Sequence, residues 1–184
     1  SVGIAPGALY KCHPSIFKKI SEYAADKIPV AMHVAGSREE YKFIRNGTSA
    51  FSVDALADAR GYVEIPPWLP TGATPVNYVL NWDAFEVDNM LAIHCIHVND
   101  DDIQKLREHN VAIGICSRCN AKLGMGVAPL EEYLKLGMRV GIGTDSPAAT
   151  DSTDMLAEMR TGMLVQRAVN TGYFLSAKTT LEMA

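Results

Sequence analysis

The sequence predicts an α/β fold. Three observations carry that expectation: short β-branched apolar runs, helical patterns between them, and an alternation of the two that repeats about five times along 184 residues. Such alternation favours parallel strands joined by right-handed crossovers. Periodicity leaves open whether they form an open doubly wound sheet or an arc of a barrel. A single domain over residues 1–184 is expected at this length.

Each element has a local reason. Val2-Gly-Ile-Ala5 is an apolar run stopped by Pro6-Gly7 and reads as a first buried strand. Pro14 opens a helix with Ile16, Phe17, Ile20, Tyr23 and Ala24 on one face, and Pro29 blocks its continuation. Pro29 to His33 is the second strand. Residues 37–60 are helical with a break at Asn46-Gly47, and residues 61–75 form a proline-rich loop. Trp68 and Leu69 make that loop apolar enough to act as a lid or to plug a neighbouring groove.

A short helix over 75–85 precedes a third strand, Met90 to His94. Asn99 then caps a helix to about His109, whose acidic first turn of Asp100, Asp101 and Asp102 complements the helix dipole. Val111 to Cys116 is the fourth strand, followed by a polar turn at Ser117 to Asn120. Pro129 begins a helix that Gly137 ends. Between Arg139 and Asp145, Val140 and Ile142 alternate with glycine as a fifth buried strand. Asp151-Ser152 is expected to cap a helix reaching Asn170, with Met155, Leu156, Met159 and Met163 on its apolar face, and one further helix runs to Ala184.

Composition narrows the function. With 48% apolar and 21% charged residues the chain reads as a soluble globular domain, and a net charge of −4 without a basic run excludes nucleic acid and anionic membrane as partners. No apolar run is long enough to span a membrane and no leader is evident, and the four cysteines are too sparse for a disulfide framework. A reduced, cytoplasmic location is the expectation.

Three expected strands end on residues suited to metal or proton chemistry: His33, His94 and Asp145. Parallel strands would bring these ends to one face, where α/β proteins build their sites. Imidazole and carboxylate are ordinary ligands of a catalytic divalent ion such as zinc, which takes three protein ligands and keeps a position for water. Asp145 could instead cap a helix. Cys116-x-x-Cys119 with His94, Cys95 and His97 could form a structural zinc site, although a single pair is a weak signal and a thioredoxin-like role is weaker still.

Several segments resemble a known family. Pro29-Val-Ala-Met-His33-Val-Ala, Ala92-Ile-His94-Cys95 followed by Asn99-Asp-Asp-Asp102, Cys116-Ser-Arg-Cys-Asn120-Ala-Lys-Leu-Gly124, and Gly141-Ile-Gly-Thr-Asp145-Ser with Glu158-Met-Arg160 are similar to the amidohydrolase superfamily. The branch is that of the cytosine, guanine and S-adenosylhomocysteine deaminases and the triazine chlorohydrolases. The resemblance implies a partial (β/α)8 TIM barrel, this chain supplying roughly strands four to eight of a longer polypeptide. It makes His33 the strand-five metal ligand, His94 the group that polarises the substrate or attacking water, and Asp145 both metal ligand and proton acceptor. Asn120 becomes a substrate-binding or pocket-lining residue, and His97 a solvated turn residue. One divalent metal is implied, zinc ahead of iron, with a small-molecule amino-heterocycle deaminated by hydrolysis. Expected partners are the rest of the same barrel or a second copy of the chain.

Departures from the family pattern matter equally. The first-strand His-x-His pair is absent from the chain, and Gly36 stands where His-x-x-Glu would place a proton-shuttling glutamate. Pro6-Gly7-Ala8 replaces Pro-His-Ala, Ser117-Arg-Cys119-Asn120 replaces Pro-x-Ser-Asn, and Glu39 and Glu40 read as solvated helix residues. Weak or no metal binding, and no turnover, are therefore expected of this chain alone. The rival reading is a relative that has lost catalysis and uses the barrel as a binding scaffold.

Overall fold

A computed structural model describes residues 2–25, 27–51 and 70–184. The expected lid, with Trp68 and Leu69, falls largely outside the described residues, as does the second part of the 37–60 helical stretch. Four strands, β1 (Val30–Val34), β2 (Met90–His94), β3 (Ala112–Ile115) and β4 (Val140–Ile142), form one sheet in the order β1-β2-β3-β4. All three pairings are parallel. A doubly wound sheet must reverse its strand order at a switch point, whereas this order runs one way, as in an arc of a barrel. The fold is a partial (β/α)8 barrel.

The intervening helices are α1 (Ser15–Ala24), α2 (Arg38–Asn46), α3 (Pro75–Leu80), α4 (Asp100–Glu108), α5 (Ser117–Lys122), α6 (Leu130–Lys135), α7 (Pro147–Thr150), α8 (Met155–Val169) and α9 (Ala177–Glu182). Strand alternation divides the sheet into two faces. Val30, Met32, Val34, Met90, Ala92, Ile113 and Ile115 are buried in one core with Phe17 of α1, Leu106 of α4 and Tyr133 of α6. Ala31, His33, Leu91, Ile93 and Gly114 take the opposite face, which lines the interior in a barrel.

Several local expectations need correction. Among the described residues the first expected strand makes a single parallel bridge, Ile4 to Val30, because Pro6 ends the run after one pair of hydrogen bonds. β4 is half-buried throughout rather than fully buried, since its outer edge meets the Met183 carbonyl, bonded by the Ile142 N–H at 2.8 Å, instead of a neighbouring strand. The polar turn at Ser117 to Asn120 is helix α5.

The last long helix starts later than expected. Ser146 caps the short α7 through the Ala148 N–H, and Asp154 rather than Asp151 caps α8 through the Ala157 N–H at 3.0 Å. Its packed face is Glu158, Gly162 and Gln166, while Leu156 is 73% exposed. The methionine stripe therefore does not define the buried side. Burial follows polar anchoring here: Gln166 donates to the Ala128 carbonyl at 3.0 Å and Glu158 accepts from the N–H of Arg118.

Candidate active site

His33 lies on the inner face near the end of β1 and is exposed there. His94, at the end of β2, pairs across from Val34, so regular alternation would turn its ring toward the helices. The backbone prevents this. His94 has φ +76° and Cys95 φ +43°, left-handed values that swing the imidazole out of register and bring its ring centroid to 5.4 Å from that of His33. Asp145 follows β4 and also has positive φ, at +59°. Strained non-glycine backbone at two strand ends marks positions that the surrounding structure holds against local preference.

His94 is 5% exposed, and its Nδ1 lies 2.9 Å from the side-chain oxygen of Asn120 in α5. An amide oxygen is only an acceptor, so Nδ1 carries the proton and Nε2 the lone pair. Burial, with the neighbouring His33, holds His94 below the ordinary histidine pKa against the opposing pull of Asn120 and Asp145. The ring is a neutral acceptor at physiological pH.

Asp145 is not a helix cap; its Oδ1 accepts the adjacent Ser146 N–H at 2.6 Å. Burial pushes its carboxyl up, but the Cys119 thiol, the Ser146 N–H and the electrostatic influence of His94 and His33 together hold it below the usual carboxylate range. It is therefore ionised at neutral pH and within electrostatic reach of both imidazoles. The thiols of Cys116 and Cys119 are pushed up to about 12, first by burial and then by the nearby Asp145 carboxylate. Both remain protonated and weakly nucleophilic, which removes the basis for a redox pair, and among the described residues neither belongs to a group of three His, Cys, Asp or Glu side chains that could hold a metal.

The structure thus brings His33, His94 and Asp145 to one end of the sheet and puts Asn120 behind His94. Imidazole and carboxylate are donors that a divalent ion takes. The set is incomplete: among the described residues no three His, Cys, Asp or Glu side chains lie together as a metal-holding group. A cleft of about 290 Å³ at the same end is lined by Arg38, Tyr41, His97, Val98 and Asn99, and includes none of the three site residues.

Two residues differ from their sequence reading. Glu39 is a half-exposed helix residue paired with Lys42, but Glu40 is buried, accepting the Ala35 N–H at 2.9 Å and the Gly36 N–H at 3.0 Å. Burial pushes its carboxyl up to about 7 against those two donors. His97 is half-buried rather than solvated, its Nε2 2.8 Å from the Met125 carbonyl oxygen. Glu158 was quoted only within a motif, yet it is fully buried behind the site and caps α5 through the Arg118 N–H at 3.0 Å. Its spacing with Gly162 and Gln166 was the available signal, one polar or small residue every four positions.

Comparison with known proteins assigns the family. The 5-methylthioadenosine/S-adenosylhomocysteine deaminase of Pelotomaculum thermopropionicum is 36% identical over 168 residues, 91% of this chain and 33% of that protein. The protein of the same name from Moorella thermoacetica is 32% identical over 166 residues, 90% of this chain and 33% of its own length. The chain thus spans about a third of these relatives. An adenosine deaminase from Xanthomonas campestris, solved with bound zinc, superposes with a TM-score of 0.78 at 23% identity, over 100% of this chain and 37% of that one. The amidohydrolase family model matches residues 1–184. The chain belongs to the amidohydrolase family.

Proposed function

We propose that the polypeptide containing this chain hydrolytically deaminates an amino-heterocycle, with a divalent ion, zinc ahead of iron, held in part by His33 and Asp145. When bound, such an ion makes hydroxide available near neutral pH. The observation that supports this reading best is the position of His94. Its left-handed backbone turns a neutral, buried imidazole toward His33, and Asn120 fixes the tautomer that leaves Nε2 as acceptor.

In this reading Asp145 takes the proton from the attacking water, its carboxylate kept ionised by the Cys119 thiol and Ser146 N–H. His94 accepts a hydrogen bond from the attacking water at Nε2 and so polarises it. Asn120 orients His94 through its oxygen and offers its amide N–H to the substrate, joining the positioning role to the expected substrate contact. Gly36 supplies no proton carrier, so Asp145 and His94 share that work. The chain has two of the family's ligand positions, and we infer that metal affinity and turnover need the remainder of the barrel, in a cytoplasmic protein of one domain in this region. The test is ammonia release by the full-length protein across aminopurines, aminopyrimidines and aminotriazines. Turnover that Asp145→Asn reduces by at least about 10³-fold supports the proposal, whereas no ammonia from any of them favours a binding scaffold.

A further inference from the structure

Two glycines stand where the family pattern has a side chain, and their surroundings differ. A Cβ added at Gly7 would meet only the Cys12 sulfur within 4 Å, at 3.9 Å. A Cβ at Gly36 would come to 3.1 Å from both His94 Cδ2 and Met125 Cε. Gly36 does not have positive φ, so its backbone would accept a side chain. Space, not conformation, is the constraint there: His94 and Met125 would each have to give by a few tenths of an ångström to admit a side chain.

Met125 fills that space from an anchored backbone. Its N–H donates to the Asn120 carbonyl at 2.8 Å, and its own carbonyl oxygen lies 2.8 Å from His97 Nε2. The half-buried thioether is thereby directed against His94 and Gly36, with Asn120 and His97 both tied to the same short loop.

We propose that Met125 is a specificity-determining residue: it occupies the volume beside His94 that a side chain at position 36 would take, and presents an apolar wall to the part of the substrate bound there. This rests on the deaminase reading for its substrate class. The preferred amino-heterocycle then carries an uncharged apolar substituent next to the reacting carbon, since a hydroxyl or charge against the thioether would lose its water without gaining a partner. A glutamate restored at position 36 meets Met125 as closely as it meets His94, so positions 36 and 125 are coupled.

The test has two arms, both in the full-length protein. In the first, Gly36→Glu, Met125→Ala and the double variant are compared by thermal unfolding. Gly36→Glu alone should lower Tm by several degrees and Met125→Ala should recover most of that loss; strictly additive shifts would overturn the proposal. In the second, calorimetry measures binding of two aminotriazines that differ only by methylthio for hydroxyl. The unaltered protein should prefer the methylthio compound and Met125→Ala should cut that preference about tenfold; an unchanged ratio would overturn the proposal. Neither arm requires turnover, so failure of the deaminase reading shows separately, as absent ammonia release.

Discussion

Glu40 and Glu158 each bury a carboxylate behind the strand ends, on opposite sides of the site. Glu40 binds the Ala35 and Gly36 amides with one oxygen each. Glu158 spends Oε1 on the Arg118 amide, while Oε2 has no hydrogen-bond partner among the described residues. The first contact spans four or five residues; the second spans forty. The turn after β1 is thus held by its own helix, and the α5 start by a distant one, assisted by Arg118, which donates to the Thr150 carbonyl at 2.6 Å and to Ser152 Oγ at 3.0 Å. A carboxylate with both oxygens satisfied fixes a turn, whereas one left half-satisfied holds its partner at the cost of a buried lone oxygen.

That contrast predicts unequal consequences. The largest is Glu40→Ala, which strands two buried amides and should cost about 3 kcal/mol in urea unfolding; a loss under ~1 kcal/mol would mean that water replaces the carboxylate. The next concerns pH. The native Glu40 pKa, about 7, lies above the ordinary 4.5, so the native state holds a proton that the unfolded chain has released. The stabilisation is fully present below the ordinary value and is lost as pH rises through the native one. The stability difference between unaltered protein and Glu40→Gln should therefore fall between pH ~5 and ~8, and a flat difference would place the native pKa near the ordinary value.

The smallest effect belongs to Glu158→Gln. It keeps one acceptor for the Arg118 amide and removes a charge that burial already pushes toward protonation, so stability should change by less than ~1 kcal/mol. A loss as large as that of Glu40→Ala would dissolve the distinction between the two carboxylates.

The same division between near and distant contacts explains what could be read in the sequence. The apolar runs at Val30, Met90 and Val111, the Asn99 cap and Gly137 all act within a few residues, and their elements stand close to where they were expected. His33 and His94 were legible at strand ends, whereas β4 stops at Ile142 and Asp145 follows three residues later. The left-handed turn at His94, which brings its ring to 5.4 Å from that of His33, has no residue signature, and neither does the Glu158 contact at the start of α5. Glu40 was misread because Glu39 and Glu40 look alike in sequence, and only α2 packing assigns one to solvent and the other to the Ala35 and Gly36 amides.

The convergence of His33, His94 and Asp145 is tested most directly by the zinc affinity of the full-length protein. We expect a bound divalent ion whose affinity falls at least ~10-fold in both His33→Ala and Asp145→Asn. Equal zinc content in all three proteins would contradict the account, because the two side chains would then not share a site.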